Sequence, residues 1–153
     1  MSVSVSKLNR FLFFKLPSAY WSGVRVQRIT DNECTVTVKH KWFNQNPFNS
    51  MYFAVQAMAA ELTNGAMVLL KIRKSGKNIS MLVAKNKANF TKKATGVITF
   101  RCVDGNMIDD AIKKTIETGE GQTFWMKSIG IDEKGDKVSE FDFEWTMKLK
   151  TKS

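Results

Sequence analysis

The stretch Asn46–Lys71 constrains this chain more than any other. It begins with Asn46-Pro47, offers Ser50 as an N-cap, and continues through a run rich in Ala, Met and Leu, all good helix formers. The spacing predicts one central helix over about 50–74 that stops before Ser75-Gly76. Its apolar residues lie on nearly every side, so the rest of the protein must enclose it. Glu61 stands in the middle of that enclosed run, and burying an unpaired carboxylate is costly enough to require a reason. The residue either pairs with a lysine, faces a wet gap beside the helix, or does chemistry. A membrane span is not expected, because Gln56, Glu61, Asn64 and Gly65 are unwelcome in lipid and the remaining chain reads as strands.

What surrounds the helix follows from periodicity. A short helix over 6–16, with Ser6 as its N-cap and Pro17 just beyond it, lies against the core as a lid or brace. Val24–Ile29 and Glu33–Trp42 read as a hairpin, the second strand placing Cys34, Val36, Val38, His40 and Trp42 on one face. Ser80–Phe90 and Lys93–Val103 read as two further strands. Met107–Thr118 is an amphipathic helix with Ile108, Ala111, Ile112 and Ile116 on one face and Asp109 and Asp110 in its first turn. Thr123–Ile131 and Val138–Leu149 form a last hairpin, in which Phe141, Phe143, Trp145, Met147 and Leu149 alternate with polar residues. The terminal Lys148–Ser153 is expected to fray. Because neighbouring strands come as hairpins, the order fits an α+β fold, a long helix wrapped by a six-stranded antiparallel sheet, better than a βαβ array. At 153 residues and 43% hydrophobic content the chain suits a single domain over 1–153.

Composition narrows the chemistry. Cys34 and Cys102 offer no metal-ligand spacing and read as buried thiols, and no cofactor is called for. His40, the single histidine, sits in a strand pattern with nothing to support a nucleophile–histidine arrangement. The net charge of +10 is spread along the chain without a nucleic-acid-binding motif, so it suits a phosphate-bearing small substrate better than DNA or RNA. Phe11–Phe14, closed by Lys15, is too short for a signal-peptide core, so a cytoplasmic location is expected.

The segment Asn46-Pro47-Phe48-Asn49-Ser50-Met51-Tyr52, leading into Ala60-Glu61-Leu62, resembles the hotdog-fold thioesterase and dehydratase superfamily, and looks closest to an uncharacterised thioesterase-like branch. In the better-known branches a loop Asn precedes a His-Gly-Gly-like helix start, and an acidic residue follows along the helix. By that resemblance Asn46 takes the loop position, Tyr52-Phe53-Ala54 the helix start and Glu61 the catalytic carboxylate. Phe53 stands where Gly is usual and Tyr52 where His is common. The resemblance implies a homodimer or homotetramer acting on a coenzyme A or acyl carrier protein thioester.

The chemistry is coherent with those positions. The backbone N–H near Phe53 would stabilise the oxyanion, and Glu61 would act as general base or nucleophile. Phe53 and Glu61 are roughly 12 Å apart along one helix, so one carbonyl needs the helix start of one subunit and Glu61 of another. Ser80 is a candidate to hold the attacking water beside Glu61, and Trp42, Phe43, Phe48, Tyr52 and Phe53 are candidates to line an acyl pocket. The leading expectation is an acyl-CoA thioesterase. The alternative is a non-catalytic hotdog module that binds an acyl thioester or fatty acid, with Phe53 blocking attack.

Overall fold

The computed structural model describes residues 3–151. The elements are α1 (Val5–Lys15), α2 (Pro17–Trp21), β1 (Arg25–Ile29), β2 (Cys34–Lys39), α3 (Phe53–Ser75), β3 (Ile79–Phe90), β4 (Val97–Cys102), α4 (Gly105–Thr118), β5 (Gln122–Ile131) and β6 (Lys137–Leu149). The six antiparallel strands form one sheet in the order β1-β2-β4-β5-β6-β3, curled around the long helix α3: the hotdog arrangement.

Helix α3 is the core of the molecule. By length and composition it could cross a bilayer, but its sides are spent on protein instead. Ala59, Ala60 and Ala66 let the sheet approach closely, and Val55, Leu62, Met67, Val68 and Ile72 fill the space between. The sheet returns the inner face of β6: Phe141, Phe143, Trp145 and Met147 are all buried, as their alternation requires. Where α3 carries polar side chains inward, the sheet answers them. Ser139 donates to Gln56 Oε1 at 2.8 Å, and Thr63 meets Ser128 at 2.9 Å. Near the far end of α3 the buried Lys71 reaches Asp109 of α4 at 2.5 Å.

Helix α1 is clamped to the sheet by one side chain. Asn9 donates to the Val26 carbonyl at 3.0 Å and accepts from the Val26 N–H at 2.9 Å, replacing the pairing that edge strand β1 otherwise lacks. Leu8 and Leu12 seal the contact from within.

Several boundaries differ from the sequence reading. Ser4, not Ser6, caps α1, and Pro17 begins the second short helix α2, where its fixed φ is suited to the first helical position. Strand β2 ends at Lys39, and Trp42 lies in a 3-10 turn, 82% exposed, held by Asn44. The Asn44 amide donates to the Ser22 and Lys39 carbonyls and its oxygen accepts from the Lys41 N–H, which closes the strand early. Strands β3 and β4 are not partners, since β3 pairs with β6 while β4 lies between β2 and β5. Helix α4 starts at Gly105, which moves Asp109 and Asp110 past the first turn and gives Asp109 to Lys71. Lys148 and Leu149 remain in β6; Lys152 and Ser153 of the expected fraying tail lie outside the described residues. Cys34 and Cys102, distant in sequence, stand directly opposite each other in the β2–β4 ladder as free, buried thiols.

Candidate active site

Glu61 sits midway along α3, half-buried, at the wall of a cavity of about 210 Å³ between α1 and α3. The cavity is otherwise mostly apolar: Leu8, Phe11 and Leu12 of α1, Leu62 and Leu69 of α3, and Met81 of β3 contribute most of it, with Lys15 and Leu16 also on its lining. Among the described residues no donor or cation reaches the carboxylate; none of the nine ion pairs includes it. Burial therefore acts on it unopposed and pushes its carboxyl up to about 7. Of the alternatives open for Glu61, pairing with a lysine is not seen: Lys15 lies on the same lining but makes no ion pair with it. An unpaired carboxyl that changes protonation near neutrality is suited to proton transfer.

Gly65, one turn beyond, makes room for it. A Cβ at residue 65 would stand 2.7 Å from Glu61 Oε1 and 3.3 Å from Trp145 Cη2. Neither Gly65 nor the α1 residues were singled out for the site from sequence. A glycine four residues after a carboxylate, inside a strong helix, was the available signal, because it costs helix stability without a local reason.

The start of α3 builds a second place. Asn46 organises the approaching loop: its Oδ1 accepts from the Phe48 N–H at 2.9 Å and the Ser50 N–H at 3.3 Å, while its amide donates to Ser50 Oγ at 3.0 Å. Ser50 is thereby turned toward Asn46, and Tyr52, without a side-chain capping bond, is the N-cap of α3. The backbone of the cap is fixed by Met51 N–H donating to Ala94 O at 2.8 Å and Tyr52 N–H to Asn44 O at 2.9 Å. The next two N–H groups, of Phe53 and Ala54, have no acceptor among the described residues. Phe53 lines a basin of about 540 Å³ together with Asn46, Phe48, Tyr52, Gln56 and Phe90. The Phe53 ring leans on Tyr52 and Phe90, at centroid distances of 5.0 and 6.3 Å, and is 55% exposed.

The sequence-derived site therefore divides. Asn46, Phe48, Tyr52 and Phe53 share one basin, while Glu61 lines a different cavity. Ser80 reaches neither: it alternates with cavity-lining Met81 along β3 and donates to the Lys148 carbonyl at 3.2 Å, so it is not placed to hold water at Glu61. Trp42, Phe43 and Phe48 are exposed instead of enclosing an acyl pocket, because the 3-10 turn and the following loop carry them outward. The enclosed apolar space is made by α1, which the sequence reading placed only as a lid. His40 takes no part in the Glu61 cavity.

Comparison with known proteins places the whole chain. A Pseudomonas aeruginosa protein of unknown function, described as a probable thioesterase, superimposes with a TM-score of 0.82 at 22% identity, over 98% of this chain and 99% of that one. A Chlorobaculum tepidum protein of unknown function gives 0.80 at 14% identity, over 95% and 94%. A Haemophilus influenzae thioesterase gives 0.74 at 13% identity, over 97% and 93%. At these identities the likeness is one of fold. No curated protein matches the chain by sequence. Residues 6–147 match the model of a family described as a domain of unknown function, DUF4442, and the chain belongs to that family.

Proposed function

We propose that this protein is a thioester hydrolase acting on an acyl-coenzyme A or acyl carrier protein thioester, with two subunits completing each site. The observation that carries the reading is the unpartnered Glu61 carboxyl on the wall of an apolar cavity, titrating near 7. The names of the similarly folded proteins agree with it.

Dimerisation supplies the missing geometry. Strand β3 is an edge of the sheet, with one side unpaired. Met81, near its start, lines the Glu61 cavity; Phe90, at its end, lines the basin at the start of α3. Antiparallel pairing of two β3 strands about a two-fold near Lys85–Asn86 would set Met81 of one protomer opposite Phe90 of its partner. Glu61 of one chain would then face the free N–H groups of Phe53 and Ala54 on the other. Two such sites form per dimer.

In this arrangement the acyl chain lies along Leu8, Leu12, Leu62 and Met81, and the thioester oxygen accepts from the N–H groups at the start of α3, where the helix dipole is positive. Glu61 takes a proton from water as the oxygen attacks the carbonyl carbon. The tetrahedral intermediate collapses with cleavage of the C–S bond, and the thiolate recovers the proton from Glu61, leaving free acid and free thiol. The exposed Phe53 ring leans away on Tyr52 and Phe90, which leaves its N–H free to donate.

The test is release of free thiol from a panel of short, medium, long and aromatic acyl-CoA esters, with the native protein and Glu61→Gln. The expected result is turnover of at least one ester, falling about 10²–10⁴-fold in the variant. No release by a folded dimer would replace hydrolysis by non-catalytic acyl binding, and a monomer with full activity would overturn the shared site.

A further inference from the structure

We propose that the α1–α2 face is a docking surface for anionic lipid bilayers. The proposal is independent of the hydrolysis reading, since it rests on the outside of α1.

Helix α1 has two apolar sides, and the core uses only one. Leu8 and Leu12 are buried, but Phe13 is 41% exposed and Phe14 69%. With Tyr20 and Trp21 of α2 they make one aromatic cluster: Phe13 lies 4.9 Å from Phe14, 5.1 Å from Tyr20 and 6.3 Å from Trp21, centroid to centroid. Trp21 is 59% exposed. Asn44 hydrogen-bonds the Ser22 carbonyl at 2.9 Å, which brings the segment carrying exposed Trp42 up to the end of α2. Nothing in the core needs these rings outside, and contiguous exposed aromatics of this kind mark an interaction surface.

The charge around the patch selects the partner. Residues 1–30 contain Lys7, Arg10, Lys15, Arg25 and Arg28, and the first acidic residue is Asp31. Arg28 is committed to Glu33, and Arg25 lies 3.6 Å over the Tyr20 ring. Lys7, Arg10 and Lys15 are exposed and have no carboxylate partner among the described residues. Lys7, Arg10 and Phe14 recur at helical spacing on the outer side of α1. Aromatic rings that enter the acyl boundary, flanked by cations that meet headgroup phosphates, are the signature of a helix lying in a bilayer interface. An acidic protein partner would use the cations but leave Phe14 and Trp21 without a reason to be exposed. The surface is also preorganised, because the double hydrogen bond of Asn9 to Val26 fixes α1 before it meets a membrane. Phe11 and Lys15 belong both to this face and to the lining of the Glu61 cavity, so docking would bring the rim of that cavity to the lipid.

The experiment is co-flotation with large unilamellar vesicles of phosphatidylcholine alone or of equimolar phosphatidylcholine and phosphatidylglycerol. A protein of net charge +10 can adhere to anionic vesicles through overall charge alone, so the informative variant leaves charge untouched. Binding is expected to the anionic vesicles and to fall about tenfold or more in the double variant Phe14→Ser, Trp21→Ser. Lys7→Gln with Arg10→Gln should lower it further, by about fivefold for each cation removed. Failure to float with anionic vesicles, or equal flotation of native protein and the aromatic double variant, would overturn the proposal. So would an oligomer in sedimentation velocity that dissociates in that double variant, which would assign the face to a second copy of the chain.

Discussion

The Glu61 carboxylate occupies the space that a side chain on Gly65 would take, 2.7 Å from where a Cβ would stand. Residues four apart share a helix face, and here the pair is an unpartnered carboxyl and the gap that receives it. The Trp145 indole closes the other side of the gap, its Cη2 3.3 Å from the same point.

Gly65→Ala should therefore separate stability from function. The carboxylate end is flexible and can swing aside, so the fold is expected to survive, with stability unchanged or raised by up to about 1 kcal/mol from helix propensity. Displacement of the base should lower thioester turnover about 10²-fold. Melting curves and kcat on the same preparations check both; an unaltered kcat would dissociate the Glu61 position from catalysis.

The raised pKa of Glu61 predicts opposite pH trends for stability and activity. Folding favours the protonated carboxyl, so its stabilising share is complete below the ordinary value of 4.5 and is lost as pH rises through about 7. Glu61→Gln, which mimics the neutral acid, should match the native protein at pH 4 and exceed it at pH 8 by about 2 kcal/mol, partial solvent access having reduced the penalty. Hydrolysis by the proposed mechanism uses the ionised carboxylate, so thioester turnover is expected to rise through pH 7. Denaturant melts at the two pH values and a kcat profile are the measurements.

Lys71 is only 8% exposed, whereas its partner Asp109 is 62% exposed. Asp109→Asn would leave a buried ammonium with no carboxylate, and is expected to cost about 1–3 kcal/mol. Adding Lys71→Met should recover most of that loss, since methionine fills the same channel without a charge. A double variant as unstable as Asp109→Asn alone would show that the loss has another source.

Burial pushes the Cys34 and Cys102 thiols up to about 12, so neither is a thiolate at neutral pH. Native protein should react with a disulfide-exchange reagent only at the rate of unfolding, and denatured protein should yield two thiols. Rapid labelling of the native form would contradict this burial.

The central helix and the final strand were legible because their patterns are strong: all-round apolarity in α3, and strict alternation from Phe141 to Met147. The boundaries around Trp42 and Ser50 were not, because Asn44 and Asn46 satisfy backbone groups through long side-chain bonds that no local propensity announces. The pairing of β3 with β6 was equally hidden, since adjacent strands in sequence usually pair and a crossing of the sheet leaves no local mark.

The sequence by itself determined that a long apolar helix must be wrapped by a sheet, and that Glu61 inside it needed a reason, because hydrophobic periodicity and the cost of burying charge act locally along the chain. Only the tertiary structure decided what surrounds that carboxylate. Helix α1, far away in sequence, supplies a mostly apolar wall whose Lys15 forms no ion pair with it, and the curl of the sheet brings Met81 of β3 to the same cavity. The pKa follows from that enclosure, a sum of distant neighbours and missing partners that no stretch of sequence contains.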